Sequence, residues 1–241
     1  MEKLEYTHSE PWRNVFEKYF REIMDDNHRI KPDPGPFVSI SREFGCMAED
    51  LAARLAKELT AIGSGSGDSK PWRWLNKEIV DESAKALGMK PSQLKYVFMS
   101  EKKSVMDEIV GAFSTRYFKS DKKIRNTIVE VVKSIAREGH VIIVGRGAVA
   151  FGRDIPRSLH VRLIAPLEWR MEHICKNYDK TPDEALDHIH QVDRERKFLI
   201  DSFFGKTTDN SIFHAVFNRQ LLSEDEILQG ILHLMSMKKL L

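Results

Sequence analysis

The chain is poor in cysteine, with only Cys46 and Cys175 among 241 residues. Two thiols make no disulfide framework, so the expected compartment is reducing and cytoplasmic. It also lacks an excess of charge of either sign. Its 38 basic and 36 acidic residues leave a formal net charge of +2, which argues against a mainly electrostatic nucleic-acid or membrane binder. No stretch approaches the roughly 18 uninterrupted apolar residues of a membrane span. The opening residues, MEKLEYTHSEPW, carry acids instead of an apolar run, so no secretory signal is expected there. Histidine is present without metal-ligand spacing. His188 and His190 point to different faces of a helix, and no metal site is expected.

A more local shortage is of glycine and lysine in Phe37–Lys57, FVSISREFGCMAEDLAARLAK. The segment reads as a buried strand, a tight turn at Gly45 and an amphipathic helix, which is where a phosphate-binding loop follows the first strand of an α/β nucleotide-binding domain. A lysine-bearing loop of that kind would align Ala48 with the lysine and Glu49 with the Mg²⁺-binding Ser/Thr. Glycines let the backbone approach phosphate closely, sometimes with positive φ, and Met47 threatens that approach sterically. Glu49 at ~5 Å from a phosphate charge would cost about 3 kcal/mol at an effective dielectric near 20. A Mg²⁺ between them would reverse the sign, making Glu49 a metal ligand. Alternatively, Glu49 and Asp50 stabilise the N-terminal dipole of a helix that no longer meets phosphate. Cys46, near that helix start, is either a reactive thiol of lowered pKa or a plain small residue in a turn.

What the chain does have is alternation. Strands are expected at Phe37–Ser41, 141–144 (VIIV), Leu159–Ile164 and Ala215–Asn218, with a short apolar piece around Trp72–Leu75. Helices are expected from Ala48, over Lys77–Leu87, through much of 91–138, from Pro166, from Thr181 to about Phe204, and from Ser223 with Ile227, Leu228, Ile231, Leu232 and Met235 on the buried face. Segment 61–71 (AIGSGSGDSKP) reads as a flexible excursion. The fold class is therefore α/β, a mostly parallel sheet covered by helices on both faces. Residues 9–24 form a further helix with a broad aromatic face, so 1–36 is read as an extension to a domain over 37–241. That face is covered by the same chain or by a second subunit, and a homodimer through it is one expectation.

Ligands of such sheets bind outside the carboxyl ends of the strands. Those ends carry Ser41-Arg42-Glu43, Asn76-Lys77, Gly145-Arg146-Gly147, Ala165-Pro166 and Asn218-Arg219. Arg42, Lys77, Arg146 and Arg219 would put cations around one rim, which suits a phosphorylated ligand. The alternative is ordinary surface arginines. The run Asp193-Arg194-Glu195-Arg196-Lys197 reads by itself as a solvated helix face.

Taken together, VSISREFG (38–45), LNKEIV (75–80), EGHVIIVGRGA (138–148), LHVRLIAPLEWR (159–170), the Asp193/Arg196 helix and FNRQLLSEDEI (217–227) resemble the cytidylate-kinase-like family, a branch of the nucleoside monophosphate kinases. The resemblance covers roughly 37–235. It implies a five-stranded parallel sheet with a P-loop and a mobile lid at about 170–210. It also implies transfer of the γ-phosphoryl of ATP, with Mg²⁺, to CMP, dCMP or a related small phosphorylated acceptor.

By that resemblance Ser41, Arg42, Gly45, Cys46, Met47, Ala48 and Glu49 form the phosphate loop. Asn76, Lys77, Gly145, Arg146 and Gly147 lie on the acceptor side. Arg42, Arg170, Arg194 and Arg196 stabilise the transferring charge, oriented by Asp193. Family members typically read SREYGSGGREIA where this chain has SREFGCMAEDLA, and Asn76 stands where an Asp is common. The chain is thus expected to be either such a kinase with an altered phosphate loop or a catalytically silent anion-binding or regulatory module on the same fold.

Overall fold

The computed structural model describes residues 35–66, 70–76 and 121–241. Five strands form one sheet: β1 (Phe37–Arg42), β2 (Arg73–Leu75), β3 (Val141–Val144), β4 (Ser158–Ile164) and β5 (Ala215–Asn218). Their order is β2-β3-β1-β4-β5 and every pairing is parallel. β1 is central, with Ile40 level with Val144 on one side and Val161 on the other. Such a strand has no wet face, which is why its first five residues are all buried.

The helices are α1 (Ala48–Ser66), α2 (Asp121–Glu138), α3 (Ala148–Gly152), α4 (Leu167–Tyr178), α5 (Pro182–Phe204) and α6 (Glu224–Met237). Leu51, Leu55 and Leu59 of α1 and Ile227, Ile231 and Met235 of α6 share one core with Val38, Ile40, Val161 and Leu163. Each such side chain contributes about 1.5–3 kcal/mol on burial. Leu232, expected in that core, is only partly buried. On the other face α3 lies close to β1, with Gly152 against Phe37 and His160.

Thr181 and Ser223 each close a capping box, with Glu184 and Glu226 respectively, as the sequence anticipates. The chain turns into β3 through Gly139 (φ 72°) and His140 (φ 53°). The far half of α5 is pinned to the body: Ile200 packs with Val149 and Phe213, while Phe203 meets Phe151 edge-on at 4.4 Å.

Two expectations need correction. The Gly/Ser segment from 61 onward does not leave regular structure at once, because α1 continues to Ser66. Ser64 Oγ donates to the Thr60 carbonyl (2.9 Å), and Thr60 Oγ1 accepts the Trp72 amide (2.9 Å), so local hydrogen bonds hold the last turns. The second is the short helix α3, which directly follows Gly145-Arg146-Gly147 and was not foreseen. The expected helices 9–24 and Lys77–Leu87, residues 91–120 and Lys77 itself lie outside the described residues. No described helix is long and apolar enough to cross a membrane.

Candidate anion-binding site at the carboxyl end of the central strand

β1 leads to β2 on one flank, while β3 leads to β4 across β1 on the other. The crevice at such a reversal of strand order is where α/β sheets bind ligands. The β1–α1 loop, 43–47, fills it. Its turn is made at Gly45, φ 95°, where a Cβ would lie 3.0 Å from that of Arg170. Met47 then takes φ 45°, a left-handed backbone that a glycine occupies without strain. The loop thus keeps the geometry that calls for glycine while carrying methionine.

Arg42 ends β1, its side chain 11% exposed, and crosses Gly145. A Cβ on Gly145 would meet Arg42 Nη1 at 2.2 Å, and the residue has φ 74°. Only glycine lets the guanidinium lie there. Arg42 Nη2 donates to Glu49 Oε1 at 2.8 Å. The same oxygen accepts Asn76 Nδ2 at 2.9 Å, and Oε2 accepts the Ala48 amide at 3.1 Å. The Glu49 carboxylate is therefore turned into the loop and takes a backbone amide and the loop's cation together. Asp50 is exposed.

A second cluster braces the loop from behind. Arg170 donates through Nη1 to Asp193 Oδ2 (2.5 Å) and the Phe44 carbonyl (3.3 Å), and through Nε to the Ala165 carbonyl (3.0 Å). Asp193 Oδ1 accepts the Phe44 amide at 2.7 Å. Glu43 accepts the Ala165 amide (3.2 Å) and lies 3.6 Å from Arg170 and 3.8 Å from Arg162. Replacing Asp193 by alanine strips Arg170, buried and charged, of its closest carboxylate. The free energy of unfolding is expected to fall by about 2 kcal/mol, since other acceptors remain. Urea unfolding measures this, and a loss below about 0.5 kcal/mol would mean that the pair is effectively solvated.

Arg196, three residues beyond Asp193 and so on the same side of α5, donates through Nη1 to the Arg42 carbonyl at 3.1 Å and lies 5.5 Å from the Phe44 ring centroid. Burial, then the like charges of Arg42 and Arg146, pull it down to about 9 against the partial compensation of Asp193 and Glu49. It is still charged at neutral pH. Arg146, at φ 58°, donates through Nε to the Asn76 carbonyl at 3.3 Å. Arg219 gives Nη2 to Glu224 at 3.3 Å, while its buried Nε and Nη1 find no hydrogen-bond partner.

The structure thus gathers Arg42, Gly45, Met47, Ala48, Glu49, Asn76, Gly145, Arg146, Asp193, Arg170 and Arg196 around one crevice, with Ser41 buried at the end of β1. Arg194 departs from expectation. It faces outward on α5, because residues one apart on a helix point about 100° from each other. Cys46 is fully buried, and burial, followed by the Glu43 charge, pushes its thiol up to about 12. It is the plain small residue, not a reactive thiolate. Glu49 does not fit the Mg²⁺ role in this arrangement, since both its oxygens accept N–H donors and a guanidinium sits against one of them. Among the described residues no group of three or more His, Cys, Asp or Glu could hold a metal. Sequence reasoning missed Glu43 as a brace. The one available signal was its place beside Arg42 at a strand end.

An all-parallel sheet of this order, with the β1–α1 loop at its switch point, defines a doubly wound α/β fold. A model of the cytidylate kinase-like family matches residues 37–220, and the chain belongs to that family. Its fold is similar to an uncharacterized protein from Eubacterium ventriosum (TM-score 0.59, 16% identity, covering 83% of this chain and 98% of that one). A shikimate kinase from Acinetobacter baumannii in complex with shikimate matches more loosely, with TM-score 0.44 and 15% identity over 87% of this chain and 97% of the other. No curated protein matches the sequence.

Proposed function

We propose that the protein is a phosphotransferase that moves the γ-phosphoryl of ATP to a small phosphorylated acceptor of the nucleoside monophosphate class, CMP or dCMP by family. The observation that carries this reading is the crowding of Arg42, Arg146 and Arg196. Arg196 is partly buried beside like charges, and the desolvation and repulsion it meets there are a cost that a bound polyanion would offset. Transfer between phosphates needs no strong general base, because the acceptor is already ionised. Positioning two anions in line and neutralising their charge suffices. Arg42 and the loop amides would hold the donor, Arg196 would meet the transferring charge, and Arg146 beside Asn76 would hold the acceptor. Arg170 touches no ligand in this scheme. Clamped by Asp193, it positions the loop. Mg²⁺ would come with the donor's own phosphates.

The placement of Glu49 favours a second reading, in which the fold keeps an anion pocket and regulates or binds without transferring. Calorimetry with Mg²⁺-ATP and with CMP, followed by a phosphotransfer assay on a panel of monophosphates, separates the two. The kinase reading expects saturable binding of both ligands and a diphosphate product. Monophosphate binding with neither ATP binding nor product supports the silent module. An absence of all anion binding overturns both.

A further inference from the structure

We infer that Glu49 is a built-in competitor for the phosphate loop, an internal anion that a polyphosphate must displace before it can bind. The inference rests on the anion-binding half of the function proposed above and not on transfer.

Three donors that would serve a phosphate are already committed to this one carboxylate: the Arg42 guanidinium at 2.8 Å, the Asn76 amide at 2.9 Å and the Ala48 backbone amide at 3.1 Å. Arg42 and Ala48 flank the β1–α1 loop, and Asn76 directly follows β2. A carboxylate presents two oxygens in a plane and a phosphate presents three around a tetrahedral centre, but both accept from a guanidinium fork and an amide in the same directions. Both cannot occupy the position, because two anions on one set of donors repel. Arg42 has little room to serve both. Its Nη1 lies over Gly145, where even a Cβ would meet it at 2.2 Å, and its backbone carbonyl is held by Arg196 at 3.1 Å.

The Glu49 side chain, in contrast, is 41% exposed, so it has a path out to water. A polyphosphate therefore exchanges with it: the carboxylate swings outward and the phosphate oxygens take over Arg42 and the Ala48 amide. Arg196 stays behind as a cation, only partly compensated by Asp193, that draws the ligand in. A closed loop of this kind raises the apparent dissociation constant for polyphosphate by the inverse of the fraction of molecules whose Glu49 has swung out.

The test uses the full-length chain and inorganic tripolyphosphate without Mg²⁺, measured by calorimetry for wild type, Glu49→Gln, Glu49→Ala and Asp50→Asn. Glutamine keeps the length and one acceptor oxygen but removes the charge. Asp50→Asn makes the same change in net charge one residue away on the exposed side. The expected result is binding at least about tenfold tighter in both Glu49 variants, with Asp50→Asn within about twofold of wild type. Equal or weaker binding in Glu49→Gln, or an equal gain in Asp50→Asn, overturns the inference while leaving the phosphotransferase reading standing. A gain in the Glu49 variants without any phosphoryl transfer supports the competitor and removes the kinase instead. If no variant binds tripolyphosphate, the inference falls, and the Mg²⁺-ATP and CMP titrations decide the phosphotransferase reading separately. A melting curve for each variant confirms that it is folded, and Glu49→Ala carries the comparison should Glu49→Gln be unstable.

Discussion

Replacing Arg196 by glutamine is expected to lower kcat/KM for phosphoryl transfer by about 10²–10³, the range found when one preorganised donor to developing charge is removed. If the protein proves to bind without transferring, the same loss is expected in affinity for the phosphate ligand. Stability should move the other way or not at all. Burial and the charges of Arg42 and Arg146 all disfavour the cation at this position, so glutamine relieves a cost while forfeiting one hydrogen bond to the Arg42 carbonyl. The free energy of unfolding should therefore stay within about 1 kcal/mol of wild type. A residue kept for structure behaves oppositely. Should the variant melt early and yet bind phosphate normally, Arg196 braces α5 and the site reading loses its central cation.

The second large effect lies in the sheet interior, below the site. His160 of β4 is buried. Its Nδ1 pairs with Ser39 Oγ at 2.7 Å and its Nε2 with Ser158 Oγ at 3.2 Å. Ser158 Oγ donates to the Ile155 carbonyl at 2.7 Å, so it accepts from Nε2–H, and Ser39 then donates to Nδ1. The neutral ring is fully satisfied. His214 stacks on it at 5.2 Å and takes the His160 amide on its own Nδ1 at 2.9 Å, so it too must be neutral there.

Burial, then His214, and later Lys238 hold His160 down to about 4, against one backbone contact at Gly152 that favours the charge. Burial and Lys238 lower His214 as well. A group whose folded value is depressed contributes stability present above the ordinary 6.5 and lost as pH falls toward 4. At about 1.4 kcal/mol per pH unit, His160 alone makes folding roughly 3 kcal/mol less favourable between those limits. Urea unfolding from pH 4.5 to 7.5 should show this slope in wild type and a flatter one in His160→Asn, which cannot titrate. Parallel curves for the two proteins would remove His160 from the account.

Much of the frame was legible because buried parallel strands leave an unambiguous signature. Val141–Val144, buried throughout, has the bounds the sequence suggests, and β4 gains only Ser158; the edge strand Ala215–Asn218 also keeps its bounds although it is only partly buried. Capping boxes at Thr181 and Ser223 were readable because every partner lies within four residues. The failures come where composition and geometry part. Glycine and serine at 63–66 suggest a linker, yet back-bonded hydroxyls hold the helix. The start of α3 has no side-chain cap to announce it.

At the site the sequence could place cations at strand ends but not aim them. That Arg196 turns inward and Arg194 outward follows from helical phase against a loop 150 residues earlier. The direction of Glu49, the residue on which the loop's state turns, depends on Asn76, 27 positions away. Likewise, Ser39 and His160 meet only through strand register across 121 residues.

The edge-on rings of Phe203 and Phe151, with Ile200 seated beside Val149, have a mechanical meaning for the segment that family likeness would make a moving cover. The arm that carries Arg196 is bolted at its far end, so it cannot lift away as one rod. Between α4 and α5 the chain turns at Asp179 in a left-handed conformation, and α5 starts at the Thr181 cap. The backbone that presents Arg196 to the Arg42 carbonyl is thereby anchored to the body of the domain.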